Sequence, residues 1–227
     1  MADLRVKPSS RLIGASGQTG FIPSKSMLDG SMFTADWLQR MAAEGRMYTI
    51  NHGTGTAPIT SAGAYVNTTP DLDISNPAGQ LCIPIAVNIG VEAYGTTLLF
   101  ESVCAVGVGG VITPTAAETA TIVNHRLDLG NGSGLTAVGT GTGATYMTSN
   151  VVEFGRHQID KIVTIATADD DSTNHADSYD WSAMKTGQWF FMYHPSSITR
   201  MNVFMSGQAT TGFISVTVVI PDLAVQS

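Results

Sequence analysis

Charge is scarce in this chain. Only 13% of its 227 residues are Asp, Glu, Lys or Arg, against roughly 25% in an ordinary soluble domain. A free enzyme usually keeps itself soluble with more charge. A surface this neutral suits a protein largely covered by other subunits, or a secreted β domain. Cysteine is nearly absent. Cys82 and Cys104 both lie in apolar runs, form no metal motif and read as buried free thiols, with a pairing between them left open. Long hydrophobic runs are missing too. The longest weakly polar stretch, LLFESVCAVGVGGVI, is broken by Glu101 and rich in glycine, so no membrane span is expected. The opening MADLRVKPSS has no apolar segment, so no signal peptide is expected.

Signatures of chemistry are equally thin. His52, His125, His157, His175 and His194 do not stand at metal-ligand spacing, and there is no H-E-x-x-H. No G-x-S-x-G elbow occurs. The stretch RLIGASGQTGF places Gly14, Gly17 and Gly20 at the spacing of a dinucleotide-binding turn. That turn needs a buried strand before it and a helix after it. Pro8, Ser9 and Ser10 break the lead-in and Pro23 breaks the lead-out, so the stretch reads as a flexible turn. No catalytic residue and no cofactor site is expected, and the chain reads as a non-enzyme.

What is present is glycine (24 residues), abundant threonine and β-branched runs. Residues 1–32 hold Pro, Ser and Gly with no periodicity and read as an extended arm. Up to residue 28 the arm carries Arg5, Lys7, Arg11 and Lys25 against Asp3, a local +3 on a chain of net charge −7. That overall sign argues against strong nucleic-acid binding. Arg5, Lys7, Arg11 and Phe21 are the candidate arm contacts. Next, FTADWLQRMAAEG predicts one short helix over about 34–44. Thr34 is the expected cap, Asp36 a first-turn acid and Gly45 the stop. Trp37, Leu38, Met41 and Ala42 would form its packing face.

From residue 46 the pattern is strand and turn. RMYTIN, LCIPIAVNIGV, TTLLFESVCAVGV, TATIVNHRLDL, TYMTSNVVEF, HQIDKIVTIAT, GQWFFMYH, RMNVFMSG and GFISVTVVI read as strands. GNGSGLTAVGTGTGA reads as a long glycine-rich loop. Residues 33–227 are therefore expected to form a single antiparallel β-sandwich, all-β and jelly-roll-like, whose core depends on the last strand. The sharpest local feature is ADDDSTNHADSYDW. Asp169, Asp170, Asp171, Asp177 and Asp180 make it a candidate calcium loop, although the spacing is not that of an EF-hand. Tyr179 and Trp181 beside it are candidates for a sugar-stacking platform.

The arm (1–32), the short helix and the strand series ending in ISVTVVIPDLAVQS resemble viral and phage coat or capsid-decorating proteins of the β jelly-roll type. The resemblance implies a homo-oligomeric structural role in the virion, with copies of the chain and other capsid proteins as partners and an arm that swaps between subunits. One departure is that the arm is only weakly basic, which points away from packaging a genome unaided. The alternatives are a lectin-like carbohydrate-binding module with the 168–181 loop as its site, and an enzyme on the same fold without a recognisable signature.

Overall fold

The computed structural model describes residues 5–6, 22–23, 36–54, 56–61, 65–93, 99–114, 120–139, 141–160, 178–206 and 210–221. Within the expected arm only β1 (Arg5–Val6) and β2 (Ile22–Pro23) are described, paired antiparallel with Val6 opposite Ile22. Lys7, Arg11 and Phe21 lie outside the described residues.

The helix α1 spans Trp37–Ala43. Thr34, the expected cap, lies outside the described residues, and Asp36 takes the N-cap position instead of the first turn. Gln39 Oε1 accepts the Asp36 backbone N–H at 3.3 Å, satisfying a donor the helix leaves unpaired. Gly45 stops the helix with φ at 74°. Leu38 and Met41 pack on Leu81, Ile83, Ile85 and Val219. Trp37 departs from the expected face and turns outward.

Two antiparallel sheets form the sandwich. The first contains β5 (Leu72–Asn76), β7 (Leu99–Val108), β10 (Thr136–Gly139), β12 (Ser149–Asp160) and β14 (Thr199–Ser206), in the order β10-β5-β14-β7-β12. The second contains β3 (Met47–His52), β6 (Ile83–Ala93), β9 (Thr121–Asn124), β13 (Ser178–Ser182) and β15 (Thr211–Val219), in the order β13-β6-β15-β3-β9. A sixth strand, β4 (Ile59–Thr60), pairs with the start of β15. A two-stranded antiparallel pair, β8 (Val111–Pro114) with β11 (Gly141–Thr145), stands apart. The chain crosses between the two main sheets from β5 to β6 to β7, and again from β12 through β15, which gives the jelly-roll-like character.

The core fills the space between the sheets. Ile50, Leu72, Ile74, Val87, Ile89, Cys104, Val106, Met201, Val203, Ile214, Val216 and Val218 belong to one buried cluster. β15 is central: it bonds β6 on one side and β3 on the other, and Ile214, Val216 and Val218 all point inward. The expected dependence on the last strand therefore has a physical basis.

Four sequence expectations change. TATIVNHRLDL is a strand only to Asn124, where the side chain of Asn124 accepts the Arg126 backbone N–H at 2.8 Å and turns the chain. TYMTSNVVEF and the start of HQIDKIVTIAT, expected as two strands, form the single strand β12, bulged between Phe154 and His157 at Gly155, whose φ is 56°. The glycine-rich loop supplies β10 and β11. Gly139 must lack a side chain, because the His52 imidazole occupies the space a Cβ would need. GQWFFMYH is not a strand. After the short helix α2 (Ala183–Thr186), Gly187 takes φ 70° and the chain runs irregularly, joined to the fold by a bridge between Cys82 and Met192 and by the Gly79 N–H bond to the His194 carbonyl.

Candidate functional site

That irregular segment builds an apolar surface. Phe190 faces inward against Phe154 and Trp181, with ring centroids 4.4 and 5.9 Å away. Met192 is buried, held by mutual backbone bonds with Cys82 of 3.1 and 2.9 Å. The residues that alternate with them face out: Phe191 is 64% exposed and Trp189 37%. Trp37 of α1, 38% exposed, meets Trp189 at 6.1 Å between centroids. Phe191 and the exposed Val152 line a groove of about 220 Å³ with Val106, Val108, Asn150 and Tyr193. The surface thus runs from α1 to the start of β12, and no charged side chain lines the groove. Trp37, the first residue of α1, belongs to this surface.

The outer face of the five-stranded sheet is different. Phe204, Val103 and Ala105 are covered there by Tyr65, Tyr146 and Met147. Beside them the buried Arg200 donates from Nη1 to Asp73, and from Nε to the Gly110 carbonyl at 3.1 Å. Asn202 donates to Asp73 at 2.7 Å. Burial pushes the Asp73 carboxyl above its ordinary value, and Arg200 and Asn202 pull back in the opposite direction. This is a structural ion pair. The two faces of β14 are both buried, so the pair is shut away from any ligand.

The expected calcium loop is represented by Asp180 alone, exposed on β13, where its Oδ1 accepts from the Asn88 side-chain amide. Asp169, Asp170, Asp171 and Asp177 lie outside the described residues. Among the described residues no three His, Cys, Asp or Glu side chains gather as a metal site. The sugar-stacking expectation for Tyr179 and Trp181 is corrected: both are buried, and Trp181 packs edge-on against Phe154 at 4.7 Å. They alternate along β13 with Asp180, so their rings enter the core while the carboxylate faces water.

Cys82 and Cys104 are free and buried, as expected. Burial pushes each thiol up to about 12, so neither supplies a thiolate nucleophile at neutral pH. No helix among the described residues is long and apolar enough to cross a membrane. Sequence reading assigned Trp189 and Phe191 to a strand and missed their exposure. The signal was present in Gly187, a left-handed stop that removes the segment from the sheet. Searches of protein-family models, curated proteins and solved structures find no match to this chain.

Proposed function

We propose that the chain is a structural virion protein, a capsid subunit or capsid-decorating protein, that works by assembly and not by catalysis. The observation that carries this reading is the exposed apolar surface of Trp37, Trp189, Phe191 and Val152, whose groove is lined by no charged side chain. Removing the exposed part of one such ring from water stabilises a contact by about 2–4 kcal/mol. Three rings together contribute about 8 kcal/mol, within the roughly 4–15 kcal/mol that association costs in lost freedom. The aromatic surface alone is therefore marginal, and a second contribution is required. Residues 1–32 supply it by docking on a neighbouring copy through Leu4, Val6, Leu12, Ile13, Phe21 and Ile22, with Arg5, Lys7 and Arg11 meeting the acidic body of that copy. The low overall charge supports the same reading, since neighbours approach without burying unpaired ions.

The test is solution mass with negative-stain imaging of the same peak. Shells, tubes or symmetric rings are expected from the intact chain. Deleting residues 1–25, or combining Trp189→Ser with Phe191→Ser, is expected to leave a folded subunit that no longer assembles. A monomer indifferent to concentration, salt and calcium overturns self-assembly. Normal particles from the deletion overturn the role of the arm.

A further inference from the structure

Away from the end where Leu38 and Met41 of α1 pack on Ile83 and Val219, the outer face of the six-stranded sheet carries exposed and half-exposed side chains in aligned rows. Asp180 stands opposite Asn88, Asn88 opposite Ser215, Ser215 opposite Asn51, and Asn51 opposite Thr121. These five residues make one row across β13, β6, β15, β3 and β9. At a strand spacing of about 4.8 Å the row is roughly 19 Å long. A parallel row holds Ser182, Ala86, Thr217, Thr49 and Val123. Every residue of both rows is partly or fully exposed.

The ring of Phe213 completes the arrangement. Gly90 has no side chain, and the Phe213 ring occupies the place its Cβ would take. The ring therefore lies down on the sheet, half-exposed, beside the Asn88–Ser215 pair. Among the described residues the ionisable groups of this face are Asp180, already bonded to Asn88, Glu92 farther along β6, and His125, whose Nε2 lies 2.6 Å from Thr49 Oγ1. None of the six strands carries a Lys or Arg.

We propose that this face binds an extended, neutral glycan. The absence of cations on these strands disfavours phosphate, carboxylate and nucleic-acid ligands. The alignment of hydroxyl, amide and carboxylate groups matches a ligand whose neighbouring hydroxyls both donate and accept. The Phe213 ring offers an apolar plane for the C–H face of a sugar. Buried Tyr179 and Trp181 anchor β13 from beneath, which holds Asp180 in the row. The face and the aromatic surface described above use separate residues, so this inference does not rest on the assembly reading.

Affinity electrophoresis in native gels containing neutral β-glucan, galactomannan, xylan or dextran tests it, with a printed array of neutral and acidic glycans beside it. Retardation by at least one neutral polysaccharide is expected. Phe213→Ala and Asn88→Ala should each weaken retention tenfold or more. Ser215→Trp, which covers the row without touching the core, should abolish it. Each variant is checked for an unchanged thermal midpoint. The double variant Trp189→Ser, Phe191→Ser should bind as the parent does, whatever its state of assembly. The assignment is overturned by no retention on any neutral probe, by binding confined to acidic glycans, or by binding that all three face variants retain. If no glycan binds and Ser215→Trp alone blocks particle formation, the face is a protein contact and the assignment falls.

Discussion

The two sheets share one core and treat their outer faces in opposite ways. Every residue of β14, in the five-stranded sheet, is buried. Along β3 and the first eight residues of β15, in the six-stranded sheet, buried and half-buried residues alternate one by one. The cause is what lies on the far side. Tyr65, Tyr146 and Met147 cover β14 and β7 in the first sheet, while Asn51, Asn88, Ser215 and Thr217 of the second stay half-exposed. The same comparison separates two kinds of polar contact. Arg200 and Asp73 are fully enclosed, whereas Asn88 and Asp180 meet on the open face. A polar pair that has lost its water holds the fold together only while both partners are present. An exposed pair contributes little to folding and is left available for recognition.

Breaking one member of each pair should give the largest contrast. Arg200→Met leaves the Asp73 carboxylate buried without its cation. The expected loss is about 3–5 kcal/mol, read as a shift of the urea unfolding midpoint. Adding Asp73→Asn to that variant should recover a good part of the loss, because the stranded charge is gone. Asp180→Ala on the open face should change stability by less than about 1 kcal/mol. Equal losses at the two sites would show that the covered face is wetter than its geometry implies.

Glycine sharpens the comparison at a smaller scale. A Cβ at Gly107 would meet Met147 Sδ at 2.6 Å and Met147 Cβ at 3.1 Å, within the covering layer. Gly107→Ala should therefore cost about 1–3 kcal/mol as packed atoms are displaced. The three atoms nearest a Cβ at Gly90 all belong to the ring of Phe213, which is half-exposed and free to move outward. Gly90→Ala should cost less than about 1 kcal/mol, measured by thermal unfolding, while lifting the Phe213 ring off the sheet. The reverse order would mean that the Phe213 ring is clamped and the Met147 layer is loose.

This asymmetry also explains what could be read from the amino acids alone. β15 and β6 were legible as strands because their β-branched runs stop at clear turn signals. The helix was legible from Trp37, Leu38 and Met41, although its cap sits at Asp36 and not at the expected Thr34. β5 was not identified. Its sequence, LDISN, puts an aspartate at the second position, and the arginine that neutralises Asp73 comes 127 residues later. A buried charge whose partner is distant in sequence looks like a surface charge. β10 and β11 were hidden for the converse reason. Glycines suggested a loop, whereas Gly139 is small because His52 lies against it. Of the candidate sites, the acidic loop was legible as composition, and Asp180 is its one described member. The polar row was not legible, because it joins single residues from five strands and exists only once their register is set.

The smallest effect is the most selective test of the open face. Thr217 and Thr49 stand opposite one another with hydroxyl oxygens 3.3 Å apart, and both are half-exposed. Thr217→Val keeps the branched shape that suits a strand and removes one hydroxyl. Water replaces the lost partner at Thr49, so no buried group is left unsatisfied. Stability should stay within about 0.5 kcal/mol of the parent by urea unfolding. A loss well above 1 kcal/mol would mean that Thr49 cannot reach water after the substitution. The row would then belong to a covered surface like that of Phe204, and the contrast between the two sheets would disappear.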